Sequence, residues 1–463
     1  MSLKNNLIKL VDALFEANSP GFDWGSEKTF PDFLTTDNGY QIHFSSSARE
    51  YLRKLAQILC ENRLDGGVKI ELPSYIQVVR KVVANMLSEG LFDGSQWHED
   101  RQAIKELKKR IDSQLDKIAK EHTHYFPAWT FHMERSGPIE VGPVKIMTRE
   151  DWLDEVDFSE NAKRRFGLES GGGIDWKASV KEALNDPRSD VSLPDSTDYI
   201  YDAIKVCHTV VGVTISGYEA VYSERFAKLA CKAALDSISL IIGYQDAFLQ
   251  QSLYGERLPP IRTYTLLETN GYLHLPGSAL SKRVVGIDGD AVLKELSDFP
   301  ISTQDIGRIL EGVINPDSSP WPKLALRWTT ALNWLAEACR EESDQTAIAK
   351  LGTSLDVLAC GGKHSGIADM VANFTGIGKK SVVNKSTGQT LSSLIRVIYE
   401  EGRSQILHGT NIDRLKSLKQ ERADAYNVAR ISLLEAAHGL MTYEGPDDDK
   451  AFRTMTAQVE QQE

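Results

Sequence analysis

The sequence predicts an α+β protein that ends in an all-helical region. Apolar residues recur every three or four positions through the first ~125 residues, which is helical spacing. Between about 125 and 314 they alternate or gather in β-branched and aromatic runs, interleaved with helical segments. Beyond residue 321 the helical spacing returns and no convincing strand interrupts it. The 463 residues suffice for two or three domains. The expected division is a mainly helical region 1–124, an α+β domain of no nameable type at 125–314, a helical domain at 321–445 and a polar, disordered tail at 446–463.

The clearest early helix carries Ile104, Leu107, Ile111, Leu115 and Ile118 on one face, and the segments around Ala48–Leu64 and Tyr75–Leu91 read alike. At His124 the pattern changes. HYFPAWTFHMERSGPIEVGPVKIM alternates aromatic and β-branched residues, with Gly137-Pro138 as a turn, and predicts a β-hairpin. Ile200–Ile215 is a β-branched run fit for one long strand or two, and Glu219–Ile242 is a strong helix. Ile261–Leu275 and Arg283–Ile287 look like further strands, while SGGGID at Ser170–Asp175 reads as a flexible turn. NPDSSPWP at Asn315–Pro322 is the best linker. After it, Leu324–Cys339, Ala347–Ala359, Ile367–Phe374, Leu391–Glu400 and Ile412–Met441 are all spaced as helices.

Charge and cysteines narrow the function. Net charge is −12, which argues against nucleic acid binding over the whole surface. Lys363–Arg430 is the exception, with eleven Lys/Arg against six Asp/Glu, a balance of +5 that leaves −17 on the rest. Any RNA contact must therefore be local. No stretch approaches the ~18 apolar residues of a membrane span. The N-terminus reads as an amphipathic helix and not a signal peptide, so a cytoplasmic protein is expected. Cys60, Cys207, Cys231, Cys339 and Cys360 are odd in number and scattered, and read as reduced, mostly buried thiols.

One constellation points to chemistry. In YEEGRSQILHGT, Tyr399–Thr410, Arg403 precedes His408 by five positions, flanked by Gly402 and Gly409. The spacing alone carries little, since a chain with ten His produces such pairs by chance. Its context carries more: the pair follows an amphipathic helix, late in a helical domain, inside the net-basic stretch. Tyr399, Arg403, Ser404, His408 and Gly409 together resemble the motif of the HEPN ribonucleases, especially the Apea-like branch. The resemblance covers the last quarter of the chain.

That resemblance implies a helical bundle, a dimer and metal-independent cleavage of RNA, in a toxin-like setting such as antiviral defence. It implies no cofactor and no metal. Arg403, His408 and Ser404 would be the catalytic residues. The chemistry is apt: the 2′-OH of RNA is the nucleophile, histidine moves protons near neutral pH, and arginine grips phosphate oxygens. Lys379, Lys380 and Tyr399 are candidate substrate contacts, and Arg403 and His408 are expected to be accessible. On a straight helix five positions turn by about 140° and rise by about 7.5 Å. The two side chains would thus serve one phosphate only if the backbone bends near Gly402 and Gly409, or if a two-fold homodimer through the C-terminal domain joins two motifs.

The sequence departs from the family pattern in having Ser404 after the arginine and Asp356 where the second helix often has Glu. Each residue also has a plainer reading. Arg403 and His408 could cap a helix end, Asp356 could be a surface acid, and Tyr399 core or interface. His364, in GGKHSG, reads as an exposed loop histidine that could approach the site. His122 and His124 lack further metal ligands. TGIGKKS resembles a phosphate loop, but Asn373 stands where the first glycine belongs and no strand precedes it. The rival reading of the region is a non-catalytic HEPN-type module for dimerisation or RNA binding.

Overall fold

The computed structural model describes residues 2–27, 32–62, 68–94, 97, 102–131, 133, 137–168, 175–186, 193, 195–257, 260–282, 286–385, 387–408 and 417–456. They form a mixed α+β protein of two compact units, Met1–His122 with Ile215–Arg225, and Thr123–Thr214 with Phe226–Glu463.

The first unit is helical around a small hairpin. α1 (Leu3–Ala17) starts at Ser2, whose hydroxyl accepts the Asn5 N–H at 3.3 Å. β1 (Asp32–Thr35) and β2 (Gln41–Phe44) pair antiparallel, a hairpin that the reading of this region as mainly helical did not locate. α2 (Ser46–Glu61), α3 (Leu72–Ser88) and α4 (Gln102–Ile118) follow. Leu10, Leu14, Phe44, Leu55, Val79 and Met86 fill the core. Leu107, Ile111 and Leu115 of α4 are buried there, as the stripe predicts, and Ile104 and Ile118 flank them.

The second unit opens with β3 (His122–Trp129), β4 (Ile139–Val141) and β5 (Val144–Thr148). α5 (Arg149–Glu155), α6 (Glu160–Phe166), α7 (Trp176–Asn185), α8 (Asp195–Ile204), β6 (Thr209–Ile215), α9 (Ala220–Ile242) and β7 (Ser252–Leu253) come next. The five strands order as β4-β5-β6-β3-β7. The expected hairpin is therefore corrected. β4 pairs β5 across Gly142-Pro143, while the His124 segment pairs elsewhere, with β7 on one edge. The Ile200–Ile215 run is likewise helical over its first residues: Ile204, on the last turn of α8, joins Trp152, Trp176, Val180 and Val210 in a satellite core. Ser170–Gly173 and Ile174 of the expected turn lie outside the described residues, as do 283–285 of the expected strand.

β8 (Arg262–Thr265), β9 (Glu268–Thr269), β10 (Tyr272–Leu273) and β11 (Gly277–Leu280) make one folded-back pair of strands. α10 (Gly289–Asp298), α11 (Pro300–Ile314), α12 (Pro322–Cys339), α13 (Asp344–Leu358) and α14 (Lys363–Thr375) lead to a second small hairpin, β12 (Val382–Asn384) with β13 (Gln389–Thr390). This pair corrects the expectation of a strand-free C-terminal region. The chain then runs through α15 (Leu391–Arg396), a π-helical segment (Val397–Ser404), α16 (Gln405–Leu407) and α17 (Lys419–Met441).

Asn315–Pro322, expected to separate domains, lies inside this unit. Polar ties run across it. Arg430 of α17 donates to the last carbonyls of α9, Leu240 O at 2.8 Å and Ile241 O at 3.0 Å. Arg340, after α12, is buried against Asp236 of α9 and donates to Phe248 O at 2.9 Å and Gln251 O at 3.1 Å. The tail is also corrected. Asp447 accepts the Lys323 and Leu324 N–H groups at 2.9 and 3.0 Å and so caps α12. Phe452 is buried, and Arg453 donates to Ala359 O and Cys360 O. Only 457–463 of the expected disordered segment lie outside the described residues.

Candidate functional site

The Tyr399–His408 motif is built on an irregular helix. A capping box at Thr390 and Ser393 starts α15. Its regular winding then gives way to the π form from Val397 to Ser404, a rare form that occurs most often as single turns at functional sites. This segment packs closely on α13. A Cβ on Gly402 would lie 2.3 Å from Ile348 Cγ2 on α13, and one on Gly352 would lie 3.0 Å from Arg403 Cβ. Two glycines thus let α13 and the π segment touch backbone to side chain. Gly402, expected to permit a bend, is also the point of contact with α13. Gly409 lies outside the described residues.

Arg403 faces α13. Its Nη2 lies 3.0 Å from Asp356 Oδ2, with the two side chains 25% and 17% exposed, and its guanidinium carbon is 5.3 Å from the centroid of the Tyr399 ring. The accessibility expected of Arg403 is therefore corrected: the side chain is three-quarters buried and held by an acid and a ring. Asp356, read as a surface acid, is its partner. Arg403 Nε and Asp356 Oδ1 are both buried and have no hydrogen-bond partner among the described residues.

His364 meets the same π segment at another residue. It stands in the first turn of α14 and not in a loop, with Nδ1 3.0 Å from Oε1 of Glu400, the residue three before Arg403. Four successive residues before it, Cys360, Gly361, Gly362 and Lys363, have φ of 53°, 77°, 91° and 56°. Left-handed backbone costs a non-glycine residue about 1–3 kcal/mol. Here Arg453 and the Gly361 N–H bond to Asp356 O, 2.8 Å, hold it. The strained turn fixes where His364 starts.

His408 is exposed, and its N–H donates to Ser404 O at 3.0 Å. That bond spans four residues, so the helix has returned to the α form below Arg403. Arg403 thus lies within the π segment and His408 caps the short α16 that follows it. Ser404 is half-buried and its carbonyl serves that bond. Lys379 is exposed and engaged by Asp369 at 2.5 Å, and Lys380 is exposed nearby. No contact among the described residues links either lysine to Arg403. The structure thus joins Arg403 with Tyr399 and Asp356, and Glu400 with His364, and ties neither group to His408, Lys379 or Lys380 among the described residues.

A cavity of about 340 Å³ opens on the other side of the π segment, lined by Ile348, Gln389, Leu394, Gly402, Gln405 and Asp424 among others. Neither Arg403 nor His408 lines it. Glu400 is the functional candidate that sequence reasoning missed. The signal was its position three residues before Arg403, which shares a helix face, but a partner for it required knowing where α14 begins. No family model, curated protein or solved structure matches this chain. Among the described residues no helix is long and apolar enough to cross a membrane.

Proposed function

We propose that the C-terminal helical region is an endoribonuclease of HEPN type that cuts RNA without a metal or cofactor. The observation that carries this reading is Arg403, held by Asp356 at 3.0 Å, on a π segment that also engages a histidine, His364, through Glu400 at 3.0 Å. A carboxylate on Nδ1 favours the tautomer with that nitrogen protonated and leaves Nε2 free to accept a proton. The 2′-oxygen loses its proton to a histidine and attacks phosphorus, while Arg403 balances charge on the non-bridging oxygens. The bond to the 5′-oxygen breaks as that oxygen takes a proton. The products are a 2′,3′-cyclic phosphate and a 5′-hydroxyl. His408 supplies the second proton carrier from the facing motif of a two-fold partner. Unfilled hydrogen-bond capacity on Arg403 Nε and Asp356 Oδ1 supports a rearrangement when substrate arrives. The context that goes with this reading is a toxin-like, antiviral-defence effector in the cytoplasm, its other regions restraining or directing the nuclease.

The second reading, a non-catalytic HEPN-type module, draws on the burial of the Arg403–Asp356 pair, which is also how a purely structural ion pair looks. End-labelled total tRNA and mRNA, incubated with the purified chain in EDTA, separate the two. Cleavage that survives the chelator, leaves cyclic phosphate ends and fails on a 2′-deoxy scissile site supports the nuclease. Intact RNA with folded protein supports the module, and cleavage abolished by EDTA removes the metal-free mechanism.

A further inference from the structure

Residues 261–280 are twenty consecutive exposed positions. They form an arm of two strands that turns at Asn270-Gly271, both with positive φ, 54° and 81°, as a two-residue type I′ hairpin requires. Among the described residues the arm gathers exposed apolar side chains. Of the twenty-five large hydrophobic side chains exposed among the described residues, eight lie here, including Leu266 at 73%, Tyr272 at 78%, Leu273 at 70% and Leu275 at 94%. A two-stranded hairpin alone is marginal in water and needs a third strand or a packed face. Among the described residues no third strand pairs with it.

We infer that this arm pairs with the arm of a second copy of the chain, edge to edge about a two-fold axis, to make a four-stranded antiparallel sheet. The two edges are not equivalent. Register between the strands slips by one residue from Thr265–Gly277 to Glu268–Leu273, which puts an extra residue on the returning strand next to Pro276. A bulge and a proline are the devices that blunt an edge. The outgoing strand, Arg262–Thr269, has neither and is the edge left open.

Its sequence fits itself. In an antiparallel pair only residues that point their backbone groups outward together can bond, so a strand pairing with its own copy must centre on a residue and not between two. Centred on Thr265, Arg262 of each copy meets Glu268 of the other, Tyr264 meets Leu266, and the two Thr265 face each other. Opposite charges, an aromatic with an aliphatic, and paired threonines are the favourable cross-strand sets. Four of the eight apolar side chains, Ile261, Tyr264, Leu266 and Leu267, lie on or beside this outgoing strand, where a pairing copy brings its own against them. An edge open at all times invites indiscriminate pairing, and a second copy is an occupant always present. A membrane occupant is disfavoured by the net charge of −12, which anionic lipid repels. The inference does not depend on RNA cleavage.

The test is the mass of the full chain in solution by sedimentation, with three variants. Wild type is expected to be a dimer at micromolar concentration. Arg262→Glu should weaken it at least 10-fold, and the swap Arg262→Glu with Glu268→Arg should restore it. Thr265→Cys should form an inter-chain disulfide on mild oxidation, and Thr263→Cys, off the axis, should not. A monomeric wild type overturns the inference, as does a dimer indifferent to Arg262→Glu or a Thr263→Cys crosslink as efficient as Thr265→Cys. So does a monomer that floats with phosphatidylcholine–phosphatidylglycerol vesicles, which would assign the arm to lipid. A monomeric arm variant that still cuts RNA would leave the arm assignment intact and count only against a shared nuclease site.

Discussion

Removing the side chain of Arg403 should lower stability far more than removing that of His408. The pair to Asp356 spans 3.0 Å, and its members are 25% and 17% exposed. At a charge separation near 4 Å and an effective dielectric of about 20, the bare attraction is ~4 kcal/mol. Desolvation and partial screening offset much of this. Arg403→Ala also strands Asp356, whose other oxygen already lacks a partner among the described residues. Breaking a fully buried pair from one side costs about 3–5 kcal/mol, so about 2–3 kcal/mol is expected for this partly exposed one. In a unit of this size that lowers the melting temperature by roughly 3–4 °C. His408→Ala, at an exposed helix end, should stay within about 0.5 kcal/mol of wild type. Urea and thermal unfolding of Arg403→Ala, Asp356→Ala and the double variant complete a cycle, with a coupling of about 1–2 kcal/mol expected. If Arg403→Ala is as stable as wild type, or the coupling is zero, the ion pair does not hold the π segment and this reasoning fails. Cleavage must then be measured well below both melting temperatures, so that a loss of activity in Arg403→Ala is not a loss of fold.

Two further outcomes follow from the packing. Gly402→Ala puts a methyl 2.3 Å from Ile348 Cγ2 and should cost about 1–3 kcal/mol; the double variant with Ile348→Ala should recover most of it, and an additive result would show that the close contact is not the cause. On α11, burial raises the Asp305 carboxyl above its ordinary value, with His438 Nδ1 at 3.1 Å opposing it. A raised carboxyl binds its proton more tightly in the folded chain, so its contribution is present at low pH and fades as pH rises from about 4 through the folded value. Asp305→Asn removes that slope, so wild-type stability relative to the variant should fall as pH rises over this range, and a rise would reverse the assignment.

How much of the fold the sequence disclosed depended on element length. α4, α9 and α12 repeat their apolar spacing over several turns, and all three stand close to where periodicity puts them. Short elements have too few residues to show a period. β12 and β13 hold three and two residues, and the Asp32–Phe44 hairpin is legible only from Asn38-Gly39 between its strands. Ile200–Ile204 misleads because β-branched and aromatic residues mark strands on average, whereas Ile200 and Ile204 four apart also make one face of a helix. Two Gly-Pro pairs competed for one hairpin. The second prevails because Ile139 and Val141 alternate against Val144 and Ile146, which gives both strands a buried face.

The site was legible in its residues and not in their grouping. Arg403, Tyr399 and Asp356 were all named from residue types, yet the partner of Arg403 could be known only once α13 was seen pressed on Gly402. A regular α-helix through Arg403 would meet Ile348 with whatever side chain residue 402 carried. The π segment and the missing Cβ together seat Arg403 over Asp356 and, three residues earlier, Glu400 over the start of α14. His408 lies beyond that segment, where α-type bonding has resumed, and turns to solvent. A site that used only one chain would therefore draw its histidine from α14. A site that used His408 must bring it from elsewhere, and a second copy of the chain is the source that supplies the matching Arg403. The proton carrier and the oligomeric state are thus one question. His364→Ala and His408→Ala answer it jointly: loss in both is expected of the shared site proposed above, loss in the first alone places the chemistry within one chain, and loss in the second alone removes His364 from it.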